Sequence, residues 1–339
     1  MAIREVSLNT SHKDALQGTT DEPVESISSV IAAICGNVGV AIVKFIASAL
    51  SSSSALFSEA IHSLVDCGNG ILILIGLRKS KRPADFEHPF GSGKELYFYT
   101  LIVSLCIFLL GGGVAIVEGI ETVQKALEGA LAPGDPLVGY VVIVAAACIE
   151  GASLRVALKN FNKARGQVGP LAFIKQAKDP SLFTVVLEDS AAELGLIFAL
   201  LGTVATQVTR NCVFDGAASV LIGLLLCCVA FLLLRETKGL LVGEGVLPAE
   251  VAEMRELAEA DARVRECGTV LTQYMGPRSL IVTMDIGLAP GVAVAEIDEV
   301  TDGIEARIKE RWPEAQAVFI EIESLGVVLA EQREQDAWE

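Results

Sequence analysis

The chain has 339 residues, 52% of them hydrophobic, with a mean hydropathy of +0.53, more apolar than a soluble domain runs. Its formal net charge of −16 argues against nucleic acid or anionic lipid headgroups as partners. The excess is lopsided: from Val246 to Glu339 stand 20 acids and 8 bases, so the acidity marks a soluble C-terminal part.

A polar leader, Met1 to Glu25, carries no signal-peptide pattern and reads as a disordered tail. Six apolar stretches follow, near 27–49, 55–77, 96–118, 137–158, 181–205 and 213–234. At about 1.5 Å rise per helical residue each is long enough to span about 30 Å of hydrocarbon, which predicts a six-helix membrane domain over 26–241. Basic residues gather in two connections. Arg78, Lys79, Lys81, Arg82 and Lys94 lie between the second and third spans, and Arg155, Lys159, Lys163, Arg165, Lys175 and Lys178 between the fourth and fifth. The opposite loops carry Lys125 and Arg210. Positive loops stay inside, so both termini are expected in the cytoplasm.

Gly243, Gly245 and Pro248 punctuate a short connection. The pattern beyond it changes to an amphipathic helix at 251–264, strands at 268–276 and 279–288 with a turn at Gly276-Pro277, a helix at 294–312 and a strand at 317–325. Val300, Ile304 and Ile308 fall on one face of the second helix. This α-β-β-α-β order predicts a small α+β, ferredoxin-like domain over 242–330, followed by a tail at 331–339. None of the eight cysteines forms a CxxC pair and seven sit in or beside apolar spans, so neither disulfides nor thiolate metal sites are expected.

The second span carries SEAIHSLVD. A charged residue at the centre of a bilayer costs about 2.5–3.5 kcal/mol on insertion scales. His62 and Asp66 are four residues apart and share a helix face, with Glu59 one turn earlier. Stacked polar groups in lipid mark an ion path; the alternative is a buried pair that pins two helices. The fifth span opens at Asp179-Pro180, a helix start, and holds Glu188 and Asp189 about two turns inside. A divalent cation would offset both acids, though either also fits a helix brace. Glu193, beside Ala191 and Ala192, fits structure as well as it fits a site. Asn37 in the first span reads equally as a path-lining group and as a helix–helix hydrogen bond. Lys44 is expected to snorkel to an interface. In the loop between the second and third spans, Asp85 and His88 have a spacing that serves a divalent ion or a braced turn.

These residues resemble the cation diffusion facilitator family: SSSSALFSEAIHSLVD, then HPFGSGKEL, then a fifth-span acidic motif from Asp179 to Ala192, then the small C-terminal domain. The resemblance runs over nearly the whole chain after residue 25 and is strongest to the branch with mitochondrial zinc exporters and their bacterial relatives. It implies a homodimer in membrane lipid that exchanges a divalent metal for protons by alternating access, and not an enzyme. It also implies an inner-membrane location in a bacterium and no permanent cofactor. The family's transport site takes two residues from the second helix, here His62 and Asp66, and two from the fifth. The fifth-helix pair is usually His-x-x-x-Asp; Asp189 matches the acid, Val185 stands at the His, and Glu188 replaces it by adjacency. The loop pattern HxFGHG has Ser92 at its second His, which weakens a secondary site at Asp85 and His88. Acids such as Glu321 and Glu323 stand where the family's tail domain often uses His. Lys94 matches a Lys that bridges to the tail domain, with Glu244 as its nearest acidic candidate.

A set of His62, Asp66, Glu188 and Asp189 offers one nitrogen and up to three carboxylates. Zinc accepts both donor types, and an oxygen-rich set also suits manganese or iron. The expected cargo is zinc, with manganese, iron or cobalt as alternatives. A non-transporting membrane scaffold is the rival from another class.

Overall fold

The computed structural model describes residues 27–323 and Gln335, with side chains from Asn37 onward except that of Leu182. The predicted leader, and the predicted tail apart from Gln335, lie outside the described residues.

Five helices among the described residues are long and apolar enough to cross a membrane. They are α2 (Ser54–Ser80), α3 (Lys94–Leu127), α4 (Pro136–Arg165), α6 (Ser181–Thr209) and α7 (Val213–Val242). α1 (Ile27–Ser51) precedes them, and Asn37–Ser51, the part with described side chains, is a shorter apolar helix. Local chemistry sets the ends. Ser53 accepts a hydrogen bond from the Leu56 amide at the start of α2, and Arg78 and Lys79 face its C-terminal dipole. Asp135 caps α4 with Pro136 in its first turn. Asp179 accepts from the Ser181 amide at the entry to α6. The connection between α4 and α6 folds a helix that the sequence pattern did not predict, α5 (Pro170–Gln176). It is held by buried Ile174 and an edge-to-face contact of Phe173 with Phe161.

α3 winds through a π-helical stretch at Ile107–Gly113 and packs along α7. A Cβ at Gly119 would lie 2.7 Å from the Gly216 carbonyl, and one at Gly216 would lie 2.8 Å from the Gly119 carbonyl. Backbone therefore meets backbone, which only small residues permit.

The C-terminal part runs α8 (Pro248–Glu259), β1 (Val264–Gly276), β2 (Ser279–Leu288), α9 (Val294–Arg311) and β3 (Ala315–Glu323). β1 pairs antiparallel with β2, and β2 parallel with β3, giving the order β1-β2-β3. Met254 and Ala258 of α8 and Val300, Ile304 and Ile308 of α9 bury against Val270, Val282, Met284 and Ile286 on one sheet face. The first helix ends five residues before the predicted 264. Asp261 accepts bonds from the Arg263 backbone and guanidinium, which turns the chain into β1.

The two parts meet at the foot of α3. Gly93 lies against Gly276 at the β1–β2 turn. Glu244 is paired at 2.8 Å with Lys178, which corrects the expectation that Lys94 would face it. Lys178 also sits over the Tyr274 ring, and its carbonyl accepts from the Tyr97 hydroxyl. Tertiary packing of the α5–α6 connection, which no local pattern records, brings Lys178 to this place.

Candidate metal site

Four helices converge on a cavity of about 310 Å³. α1 contributes Asn37; α2 contributes Ser63, Asp66 and Gly70; α4 contributes Glu150 and Ser153; α6 contributes Val185, Glu188, Asp189 and Ala192. The spacing explains the convergence. Ser63, Asp66 and Gly70 recur at three and four residues, as do Val185, Glu188, Asp189 and Ala192, so each set shares a helix face. Glu188 and Asp189 of α6 are each held by a neighbouring helix. Asn69 donates to Glu188 Oε1 at 2.9 Å, and Ser153 donates to Asp189 Oδ2 at 2.9 Å.

Asp66, Glu188 and Asp189 thus line one cavity. His62 is buried just behind it: Nδ1 lies 3.5 Å from Asp66 Oδ1, and neither ring nitrogen makes a hydrogen bond among the described residues. His62 is not part of the cavity lining. Among the described residues no three His, Cys, Asp or Glu side chains form a preformed coordination cluster. The bonds to Asn69 and Ser153 hold the α6 acids toward separate helices, so enclosing an ion requires the helices to move.

Lys44 departs from the sequence expectation. Its side chain is fully buried, not snorkelling, and donates to Glu59 Oε2 at 3.1 Å, Ser63 Oγ at 2.9 Å and Glu150 Oε1 at 2.7 Å. Glu59, read as a pathway group, is committed to this cluster and does not line the cavity. Glu150 and Ser153 were missed. The signal was present, because Glu150 is a lone acid in VVIVAAACIEGASL, the pattern that singled out Asp66. Glu193 lines a separate, mostly apolar cavity between α4 and α6 with Arg155 and Cys148.

In the loop after α2, Asp85 Oδ1 accepts from the Glu87 amide at 2.9 Å, the His88 amide at 2.6 Å and lies 3.2 Å from His88 Nδ1. These bonds, led by the His88 amide, hold the Asp85 carboxyl below the usual carboxylate range. The pair braces a turn as placed. The described cysteines Cys67, Cys106, Cys148, Cys212, Cys227, Cys228 and Cys267 are all free.

Residues 30–242 match the cation efflux transmembrane domain, and residues 246–325 match the cytoplasmic domain of cation efflux proteins. The chain belongs to the cation efflux family. It is a multi-pass integral membrane protein. It is 34% identical over 252 residues to the human (Homo sapiens) mitochondrial proton-coupled zinc antiporter SLC30A9, covering 73% of this chain and 43% of that protein. It is 32% identical over 231 residues to metal tolerance protein C4 of Arabidopsis thaliana, covering 68% of this chain and 50% of the relative. The chain therefore spans about half the length of these two relatives. Against the manganese efflux system protein MneS of Bacillus subtilis it is 23% identical over 290 residues, 86% of this chain and 93% of that one.

Proposed function

We propose that this cation efflux protein is a divalent-metal carrier that exports the ion in exchange for protons by alternating access. The observation that carries this reading is the cavity in the apolar bundle lined by Asp66, Glu188 and Asp189, with His62 against Asp66. Metal ligands bind deprotonated, so loading displaces protons and protonation expels the metal. The metal set is His62, Asp66, Glu188 and Asp189, with Asn37 on the path. Asp85 and His88 brace an exposed turn through Asp85 Oδ1 and are the secondary candidate for a divalent ion.

The reading includes six spans, α1 completing the five long apolar helices. It includes a homodimer joined through the C-terminal domain, both termini in the cytoplasm, and the inner membrane of a bacterium. The domain limits are 26–241 and 242–330. Zinc is the first cargo, supported by the zinc antiporter relatives. Manganese is the second, favoured by the carboxylate and hydroxyl oxygens of the cavity lining, with the one imidazole behind them.

Flux into proteoliposomes across a panel of zinc, manganese, iron and cobalt tests the reading. Expected is metal uptake accelerated by an opposing proton gradient with the membrane potential clamped. Uptake indifferent to the gradient points to a channel, and absence of flux for every metal points to a scaffold.

A further inference from the structure

Fully buried Lys44 and part-buried Glu150 are charges that the proposed transport cycle leaves unused. All three N–H donors of the Lys44 ammonium are engaged, on Glu59, Ser63 and Glu150. Two of those acceptors, Ser63 and Glu150, stand in the wall of the cavity that holds Asp66, Glu188 and Asp189. The second oxygen of Glu150, Oε2, is buried with no hydrogen-bond partner among the described residues. The cluster has one ammonium for two carboxylates, so it is short of positive charge where such a deficit is expensive. The cavity beside Glu150 is where a cation would arrive.

We propose that Glu150 is a further ligand for the cargo cation, and that Lys44 is a positioning residue that competes with the cation for it. The inference rests on the metal-carrier reading. With the cavity empty, the ammonium holds one oxygen of Glu150 and offsets part of the charge on the four carboxylates that line the cavity, Asp66, Glu150, Glu188 and Asp189. With a divalent ion present, Glu150 turns its unpartnered oxygen to the ion, and Lys44 keeps Glu59 and Ser63. The ion and the ammonium are alternative partners of one carboxylate, so each weakens the hold of the other. An added oxygen donor favours oxygen-preferring manganese over zinc. Lys44 thereby lowers affinity for the ion and shifts selectivity toward zinc.

The test is titration of the full-length protein in lipid nanodiscs with Mn²⁺ and with Zn²⁺. The double variant Lys44→Met/Glu59→Gln removes both fully buried partners and leaves Glu150 without its competitor. Mn²⁺ affinity is expected to rise about tenfold, within the usual range of coupling between sites, and Zn²⁺ affinity by less. Adding Glu150→Gln is expected to cancel the gain. Mn²⁺ affinity unchanged in the double variant, or a gain that survives the loss of Glu150, overturns the proposal. If the double variant does not fold, Glu150→Gln alone decides. It is expected to weaken Mn²⁺ more than Zn²⁺, whereas a purely structural Glu150 would lower thermal stability and leave the Mn²⁺ to Zn²⁺ affinity ratio unmoved. Asp189→Asn separates the two levels. Normal metal binding by that variant sinks the carrier reading itself. Loss of binding there, beside Lys44 and Glu150 variants that change nothing, sinks only this inference.

Discussion

The α3–α7 seam and the α2–α4–α6 cavity are built in opposite ways within one bundle. At the seam, glycines bring backbones together and leave no room for water or for a side chain. Around the cavity, helices are held apart by carboxylates, hydroxyls and an amide. A close-packed seam has few ways to rearrange; a polar cavity can exchange partners with small shifts. α2 belongs to both. Asp215 of α7 accepts from Ser53, from the Ser54 hydroxyl and amide, and from the Ala55 amide at the start of α2. Ser219 of α7 bonds both Ser58 of α2 and the Ala115 carbonyl of α3. The start of α2 is thus tied to the frame, while Asp66, three turns on, faces the polar side.

The sharpest way to break this contrast is at the cavity. Asp66→Ala or Asp189→Ala should reduce metal flux by about 100-fold or more, since losing one partner of a buried charged set costs about 3–5 kcal/mol. Both variants should elute as folded protein on size exclusion. Transport at the normal rate by both would remove the cavity from the mechanism. pH acts on the same side. Apparent metal affinity should fall about tenfold as pH drops from about 7.5 to about 6, read by metal titration, because protons compete for the ligands.

The seam predicts a different signature. Gly119→Ala or Gly216→Ala puts a methyl into a backbone contact and should cost about 1–3 kcal/mol of stability, seen as a lower Tm in detergent. Metal affinity of the folded fraction should stay normal. If Gly119→Ala instead shifts affinity with no change in Tm, the seam is not a frame. At the junction, Lys178→Met should cost about 1 kcal/mol or less, because Glu244 is partly solvated. The smallest effect lies in the C-terminal domain. Hydrogen bonds from Arg263 hold the Asp261 carboxyl down at about 2. A lowered folded pKa contributes stability above the unfolded value of about 3.9, and that contribution fades as pH falls toward the folded one. Arg263→Met should therefore flatten acid unfolding between about pH 4 and pH 2, followed by fluorescence of buried Trp312 with Trp338 replaced by Phe.

The seam and the cavity were not equally legible in the sequence. Acids within apolar runs announce themselves because membrane burial of charge is costly, so Asp66, Glu188 and Asp189 could be found one residue at a time. Val300, Ile304 and Ile308 were legible from periodicity, and they are buried. Lys44 was misread because its partners lie 15, 19 and 106 residues away; a local rule about basic side chains near helix ends cannot see them. Glu150 failed for the opposite reason, since the rule that fits it was applied to other spans only. Gly119 and Gly216 look like ordinary small residues until the facing backbone is known. The exchange of Lys94 for Lys178 has the same origin, because a junction between two packed parts is decided by where the chain returns in space.

That junction has a mechanical consequence. A Cβ on Gly276 would sit 2.7 Å from the Gly93 Cα, so the turn of the hairpin and the foot of α3 touch as bare main chain. Such a contact resists compression, because atoms at van der Waals distance cannot approach, and the edge-to-face pair of Phe90 and Phe319 resists sliding. Beside it, the Lys178–Glu244 pair is a leash of rotatable bonds. Together they make the junction a stop: bare main chain sets how near the C-terminal domain comes to the bundle, and the side chains around it hold it sideways.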